Sequence, residues 1–161
     1  MRERQAVRGA RRAREFEAFV AGAAGRLLHA ATLLTAEPTD ANPRARQLLT
    51  ASLAHTYASW DRLRGEDPYD CARRELALRY ARGAWHRGGP PPDGPLAHLK
   101  ARERLVLVLR LFEGVGEEQV AALLGLPQER VGALHARAMA LVLHPPRGPA
   151  PDGPAMSGAA P

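Results

Sequence analysis

Cysteine is nearly absent. Cys71 stands alone in 161 residues, which excludes an internal disulfide and any multi-cysteine zinc site. Aromatic residues make up only 5%, so a core must be built mainly from Leu, Ala and Val. Long apolar runs are also missing. The longest, such as 105–109, fall far short of the roughly 20 residues needed to span a bilayer. The basic N-terminus is not followed by the apolar core of a signal peptide. A soluble cytoplasmic protein without membrane insertion is therefore expected. No stretch alternates apolar and polar residues with β-branched enrichment, so no strand is expected either.

Apolar residues reach 45%, enough for packed cores. Phe16, Phe19, Val20, Ala23, Leu27, Leu28, Ala31 and Leu34 recur at helical spacing, up to the stop at Glu37-Pro38-Thr39-Asp40. A second helix opens near Pro43 and carries Leu48, Leu49, Leu53, Tyr57 and Trp60. Gly65-Glu66-Asp67-Pro68 breaks it, with Asp67 as N-cap and Pro68 as first helical residue of a third. That helix carries Cys71, Leu76, Tyr80 and Trp85, with Cys71 read as a small core residue. After a Pro/Gly stretch, helical patterning resumes at Leu96 and runs to about Phe112, followed by helices over 117–124 and 128–143.

The expected layout is thus all-α. A basic arm at 1–14 precedes a helical domain at 15–87, a Pro/Gly linker at 88–95, a second helical domain at 96–144 and a disordered tail at 145–161. Each domain is near the size at which one core becomes marginal, so contact between them, or with a partner, would help. The charge of +6 is unevenly placed. Residues 1–14 hold six Arg against Glu3, residues 15–95 hold ten of each sign, and residues 96–144 hold six basic against five acidic. An arm of that kind follows nucleic acid or an acidic protein by charge, or else forms the first turns of a helix or a frayed tail.

The most informative pattern lies at 117–141. Ala121 is small, Gly125 follows at +4 where a sharp turn favours positive φ, and Val131 follows at +10 as an apolar peg between two helices. This is a helix-turn-helix pattern, completed by Val120, Leu123, Leu124, Leu126, Leu134, Ala138 and Leu141. The outward face of its second helix offers Gln128, Arg130, Ala133, His135 and Arg137, of which Arg and Gln can pair with base edges. Glu129 opposes them, and the near-balanced charge of 96–144 gives little counterion release. Binding to DNA through a larger partner fits this better than autonomous binding. No His pair with a third ligand, no phosphate loop and no oriented nucleophile emerges, so neither metal, cofactor nor catalysis is expected. Trp60 and Trp85 are open to two readings, core packing or stacking on unpaired bases.

The stretch Leu99-Lys-Ala-Arg-Glu-Arg-Leu-Val-Leu-Val-Leu-Arg-Leu-Phe-Glu-Gly-Val-Gly-Glu-Glu-Gln-Val-Ala-Ala-Leu-Leu-Gly-Leu resembles the pattern "LPxRQRxVLxLRyxExLSexEiAxLLGcs" of extracytoplasmic-function sigma factors of the sigma-70 family. The first domain is similar to the same family's, through Phe16-Glu-Ala-Phe-Val, Leu27-Leu-His-Ala-Ala-Thr-Leu-Leu-Thr, Tyr57-Ala-Ser-Trp-Asp-Arg-Leu and Asp67-Pro with Arg73-Arg74. Twenty-two Arg against one Lys fits an actinobacterial, GC-rich genome. The resemblance implies a region 2-like three-helix bundle and a region 4-like helix-turn-helix. It implies core RNA polymerase and promoter DNA as partners, and an anti-sigma factor as a further one. It assigns polymerase binding to Gln47, Leu48, Leu49 and Thr50. Promoter melting falls to Arg73, Arg74, Arg79, Tyr80 and Trp85, and upstream DNA binding to Gln128, Arg130, Ala133, Leu134, His135 and Arg137.

The chain departs from the family pattern at four places. Gln47-Leu48-Leu49-Thr50 stands where the family has Asp-Leu-Val-Gln, and Glu75-Leu76-Ala77-Leu78 lacks the Asn of the melting helix. Gly132 and Ala133 replace a Lys and a Ser of the recognition helix. The hinge from Arg87 to Leu96 reaches at most roughly 30 Å, against about 34–36 Å for one turn of duplex. These departures frame a second expectation: a degenerate sigma-fold interaction module or regulator that no longer directs promoter-specific initiation.

Overall fold

The computed structural model describes residues 1–63, 65–83 and 91–146. Trp85, the start of the 88–95 linker and residues 147–161 of the expected tail lie outside the described residues. The described residues form six α-helices and no strand: α1 (Arg2–Thr35), α2 (Pro43–Ser59), α3 (Pro68–Ala81), α4 (Ala101–Leu107), α5 (Glu117–Leu124) and α6 (Gln128–Leu143). The fold is all-α, as the missing β-patterning requires.

Residues 2–14, expected as an arm, are the first turns of α1. Their arginines stay largely exposed until Arg12, which reaches Asp61 at 3.1 Å and lies over the Tyr57 ring at 4.3 Å. Phe16, Phe19, Tyr57 and Trp60 then form an aromatic cluster, with Trp60 edge-on to Phe16 at 5.2 Å. That contact gives Trp60 a packing role. Contrary to the reading of the apolar runs, α1 is by length and composition long and apolar enough to cross a membrane. Here its apolar stripe (Ala23, Leu27, Ala30, Ala31, Leu34) is instead buried against the other helices.

Pro43 and Pro68 open α2 and α3 as expected, and the Asp67 side chain accepts the Tyr69 N–H at 2.9 Å. The turn between α1 and α2 is built around a buried carboxylate. Glu37 accepts the N–H groups of Ala45 at 2.8 Å and Arg44 at 3.1 Å, the Thr35 hydroxyl at 2.9 Å and Arg44 Nε at 3.2 Å. Burial alone would raise the Glu37 pKa, but the bonds from Ala45, Arg44 and Thr35 outweigh it and hold it below the ordinary value. The charged form is the one the fold favours. Its contribution is present above the unfolded carboxyl's pKa and is lost as pH falls through the depressed folded value. The Glu37→Gln variant should therefore have a lower denaturation midpoint at neutral pH. That deficit should close in acid, where both proteins carry a neutral side chain. A deficit equal at all pH values would contradict this account.

The expected helix from Leu96 starts later, at Ala101. Residues 94–99 make tight turns, with Ala97 N–H on Gly94 O at 3.0 Å and Leu99 N–H on Leu96 O at 3.1 Å. Beyond Leu107, α4 widens into a π-turn over Val108–Phe112, closed by the Glu113 N–H on Val108 O at 2.9 Å. The two helical units share one core. Leu27, Leu34, Leu48, Leu76 and Tyr80 from the first unit pack in the same cluster as Leu105, Val106, Val120 and Val131 from the second. That union supplies the contact that two marginal cores called for.

Candidate nucleic-acid interface

Helix α5 ends at Gly125, whose φ of 63° and ψ of 37° are left-handed, as the turn pattern demanded. Gly125 and Leu126 both donate their N–H groups to Ala121 O, the latter at 3.0 Å. Pro127 opens the next helix and accepts the N–H groups of Arg130 at 3.0 Å and Val131 at 3.2 Å. Val131 is fully buried and Ala121 nearly so, in one cluster. The alanine, glycine and valine therefore hold α6 across α5 in the way their offsets predicted.

On α6, Gln128, Arg130, Ala133 and Arg137 are exposed. Leu134 is a correction to the expected DNA-binding set. It is 9% exposed and packs in the core, because it shares the inward face with Val131 and Ala138. His135 is half-buried, with its Nε2 enclosed and without a hydrogen-bond partner. Gly132 is not an outward vacancy left by a missing lysine: a Cβ there would lie 3.4 Å from Glu117 Oε2, beside the start of α5. Between α4 and α6 runs a 460 Å³ cleft lined by Lys100, Arg102, Arg130 and Arg137, with Glu103 and Leu134 in its wall. Glu103 is buried and pairs with Arg137, Oε1 to Nε, at 2.8 Å.

The first unit presents less than its sequence promised. Leu48 is fully buried and Leu49 is 8% exposed. Both belong to the core, because adjacent apolar residues on α2 face α1 and α3, so a polymerase surface there is left with Gln47 and Thr50, which are exposed. Tyr80 is also corrected. At 1% exposure it cannot stack on a base in this arrangement, and burial pushes its phenol up to about 12, opposed by the nearby charges of Arg104 and Arg44. Arg104 is itself buried, and burial lowers its pKa. The α3 arginines engage acidic groups of this chain: Arg73 with Asp70 at 2.9 Å, Arg74 with Glu66 at 3.4 Å and Arg79 with Glu75 at 2.6 Å.

The units meet at a carboxylate that sequence reasoning did not single out. The Glu113 side chain is 1% exposed, at the end of the π-turn. It accepts the Tyr69 hydroxyl at 2.9 and 3.0 Å and lies 3.6 Å from Arg26 Nε and 3.8 Å from an Arg73 nitrogen. Arg26 also donates to Phe112 O at 2.9 Å, and His29 stacks on the Phe112 ring at 5.0 Å. Burial and the Glu113 carboxylate both raise the Tyr69 pKa. The signal for Glu113 was in the sequence, in the acid that the quoted family pattern shares. Its partners were not.

Comparison with known proteins bears on this geometry. Residues 96–142, which hold α4, the π-turn and the helix-turn-helix, match the family model of sigma-70, region 4. Over 151 residues the chain is 28% identical to the RNA polymerase sigma-E factor of Streptomyces coelicolor, covering 78% of this chain and 82% of that one. Over 96–142 the chain is similar to the sigma-70 family, and over most of its length to one sigma factor. No solved structure matches it. The matched region runs from just after the linker to near the end of α6, and the likeness supports a sigma-like promoter-recognition role.

Proposed function

We propose that this chain is a sigma factor of the sigma-70 family, which binds core RNA polymerase and directs it to promoters, reading the upstream element with α6. The observation that carries the reading is the exposed row of Gln128, Arg130 and Arg137 on a helix locked at the turn after α5. Arg and Gln side chains in that place can pair with base edges in a major groove. The first unit contributes the polymerase contact through the exposed side of α2 around Gln47 and Thr50. The polymerase supplies the chemistry, so no catalytic group is needed in this chain. A cytoplasmic place, and an anti-sigma factor as regulator, follow from that role.

A second reading has its own support. The α3 arginines are paired internally and Tyr80 is buried, so the surface expected to melt a promoter is occupied by the protein itself. A sigma-fold interaction module would tolerate that.

Run-off transcription separates the two. Core polymerase with the wild-type chain should initiate specifically on templates recovered by binding selection. The Arg130→Glu, Arg137→Glu double variant should reduce that initiation by roughly tenfold or more, since each lost base pairing is worth about a factor of ten in selectivity. Binding to core without any initiation would favour the interaction module. No binding to core would remove the first reading.

A further inference from the structure

Arg137 differs from the other cations of the α4–α6 cleft. Of Lys100, Arg102, Arg130 and Arg137, it alone makes an ion pair among the described residues. Its partner is unusual as well. Glu103 sits in the first turn of α4, buried to 3% exposure, and its Oε2 accepts the Lys100 N–H at 3.0 Å. One carboxylate thus closes the start of α4 with one oxygen and holds Arg137 at Nε with the other. The Arg137 side chain remains 63% exposed although Nε lies against the carboxylate. A guanidinium held at Nε with most of its side chain exposed is restrained in direction while a parallel N–H pair of the kind that recognises guanine O6 and N7 can still face outward.

Without that anchor the guanidinium would stand beside three like charges. Repulsion would spread it through many rotamers toward solvent, where phosphate is the available anion on DNA. We infer that Glu103 is a positioning residue for sequence reading: it turns Arg137 from a phosphate-seeking cation into a directed base reader. The inference rests on the reading of α6 given above. It concerns this chain in particular, because the quoted family pattern carries Gln at the position of Glu103.

The test is in vitro selection from duplexes with a randomised stretch, using the full chain with core polymerase and the variants E103Q, R137A and the double variant. Glutamine keeps an oxygen for the Lys100 N–H but removes the charge that holds Arg137. The wild type should prefer one base by about tenfold or more at one position. E103Q and R137A should both flatten that same position, and the double variant should flatten it no further. On a fixed duplex lacking the selected sequence, E103Q should bind with a steeper salt dependence by about one released counterion, a slope change near 0.9, while R137A should not. A purely structural role for Glu103 would weaken binding everywhere and would not steepen the salt dependence.

If E103Q retains the preference that R137A loses, Arg137 reads without Glu103 and the inference is overturned, while the reading of α6 stands. If the wild type selects no base, the reading of α6 falls and the inference with it. Should E103Q lose its helical circular dichroism, E103D takes its place. It keeps the charge and should keep the preference, and a folded E103D with a flat position overturns the inference.

Discussion

The Glu113→Ala variant is expected to lose about 2 kcal/mol of folding stability, because the part-buried Tyr69 hydroxyl loses its acceptor and Arg73 loses its buried counter-charge. The Tyr69 hydroxyl, which donates to Glu113 at 2.9 and 3.0 Å, would have no acceptor, and Arg26 and Arg73 would face each other across an emptied site. The contact joins α1 and α3 to the end of the π-turn, so the loss should weaken the union of the two units more than either unit alone. Glu118→Ala, on an exposed stretch of α5, should stay within about 0.5 kcal/mol of the wild type. Denaturant midpoints measure both, and an equal effect of the two substitutions would contradict the assignment. Alkaline titration adds a second readout. Tyr69 has a raised pKa, first from burial and then from Glu113. Stability from such a group is whole below the unfolded phenol's value, near 10, and is lost as pH rises through the folded one. Glu113→Gln should move the onset of Tyr69 ionisation, followed by ultraviolet absorbance, to lower pH. Burial should keep it above the value of a free tyrosine.

Replacing Gly94 should have a comparable cost, for a different reason. Its N–H donates to Ala36 O at 2.8 Å, which lays the end of the linker directly on the α1–α2 turn. A Cβ there would meet Glu37 O at 2.5 Å and the carbonyl carbon and oxygen of Ala36 at 2.7 Å. Those are backbone atoms of a turn fixed by the buried Glu37 carboxylate, so they cannot rotate away as a side-chain end would. Gly94→Val is expected to destabilise by about 2–3 kcal/mol through overpacking and loss of that bond. Gly25→Ala is the control with the opposite sign. It lies inside α1 with open space around it and should stabilise by about 0.5–1 kcal/mol. Thermal denaturation of both variants checks the pair, and a neutral Gly94→Val would show that the linker does not depend on this approach.

What the sequence disclosed follows from how far each signal reaches. Ala121, Gly125 and Val131 act on each other within one turn and its two helices, so their spacing was enough to place the helix-turn-helix. Asp67 with Pro68 is a contact between near neighbours and was equally legible. Leu48, Leu49 and Tyr80 misled for one reason. A family pattern ties a function to a position on the chain, whereas burial is decided by which helices pack around it, and here the core shared by the two units takes in all three. Summed charge failed similarly: residues 15–95 cancel on paper, yet what matters is that Arg73 and Arg26 both face Glu113 from different helices. Glu103 with Arg137, and Tyr69 with Glu113, lie far apart along the chain, and no local spacing announces such pairs.

The core that runs without interruption from Leu27 to Val131 limits how this chain can be recombined. A second unit grafted from a related protein would arrive with an apolar flank shaped for a different neighbour. On the proposed reading of α6, specificity is inherited with the scaffold, and retargeting calls for changes on the outer face of that helix rather than an exchange of halves.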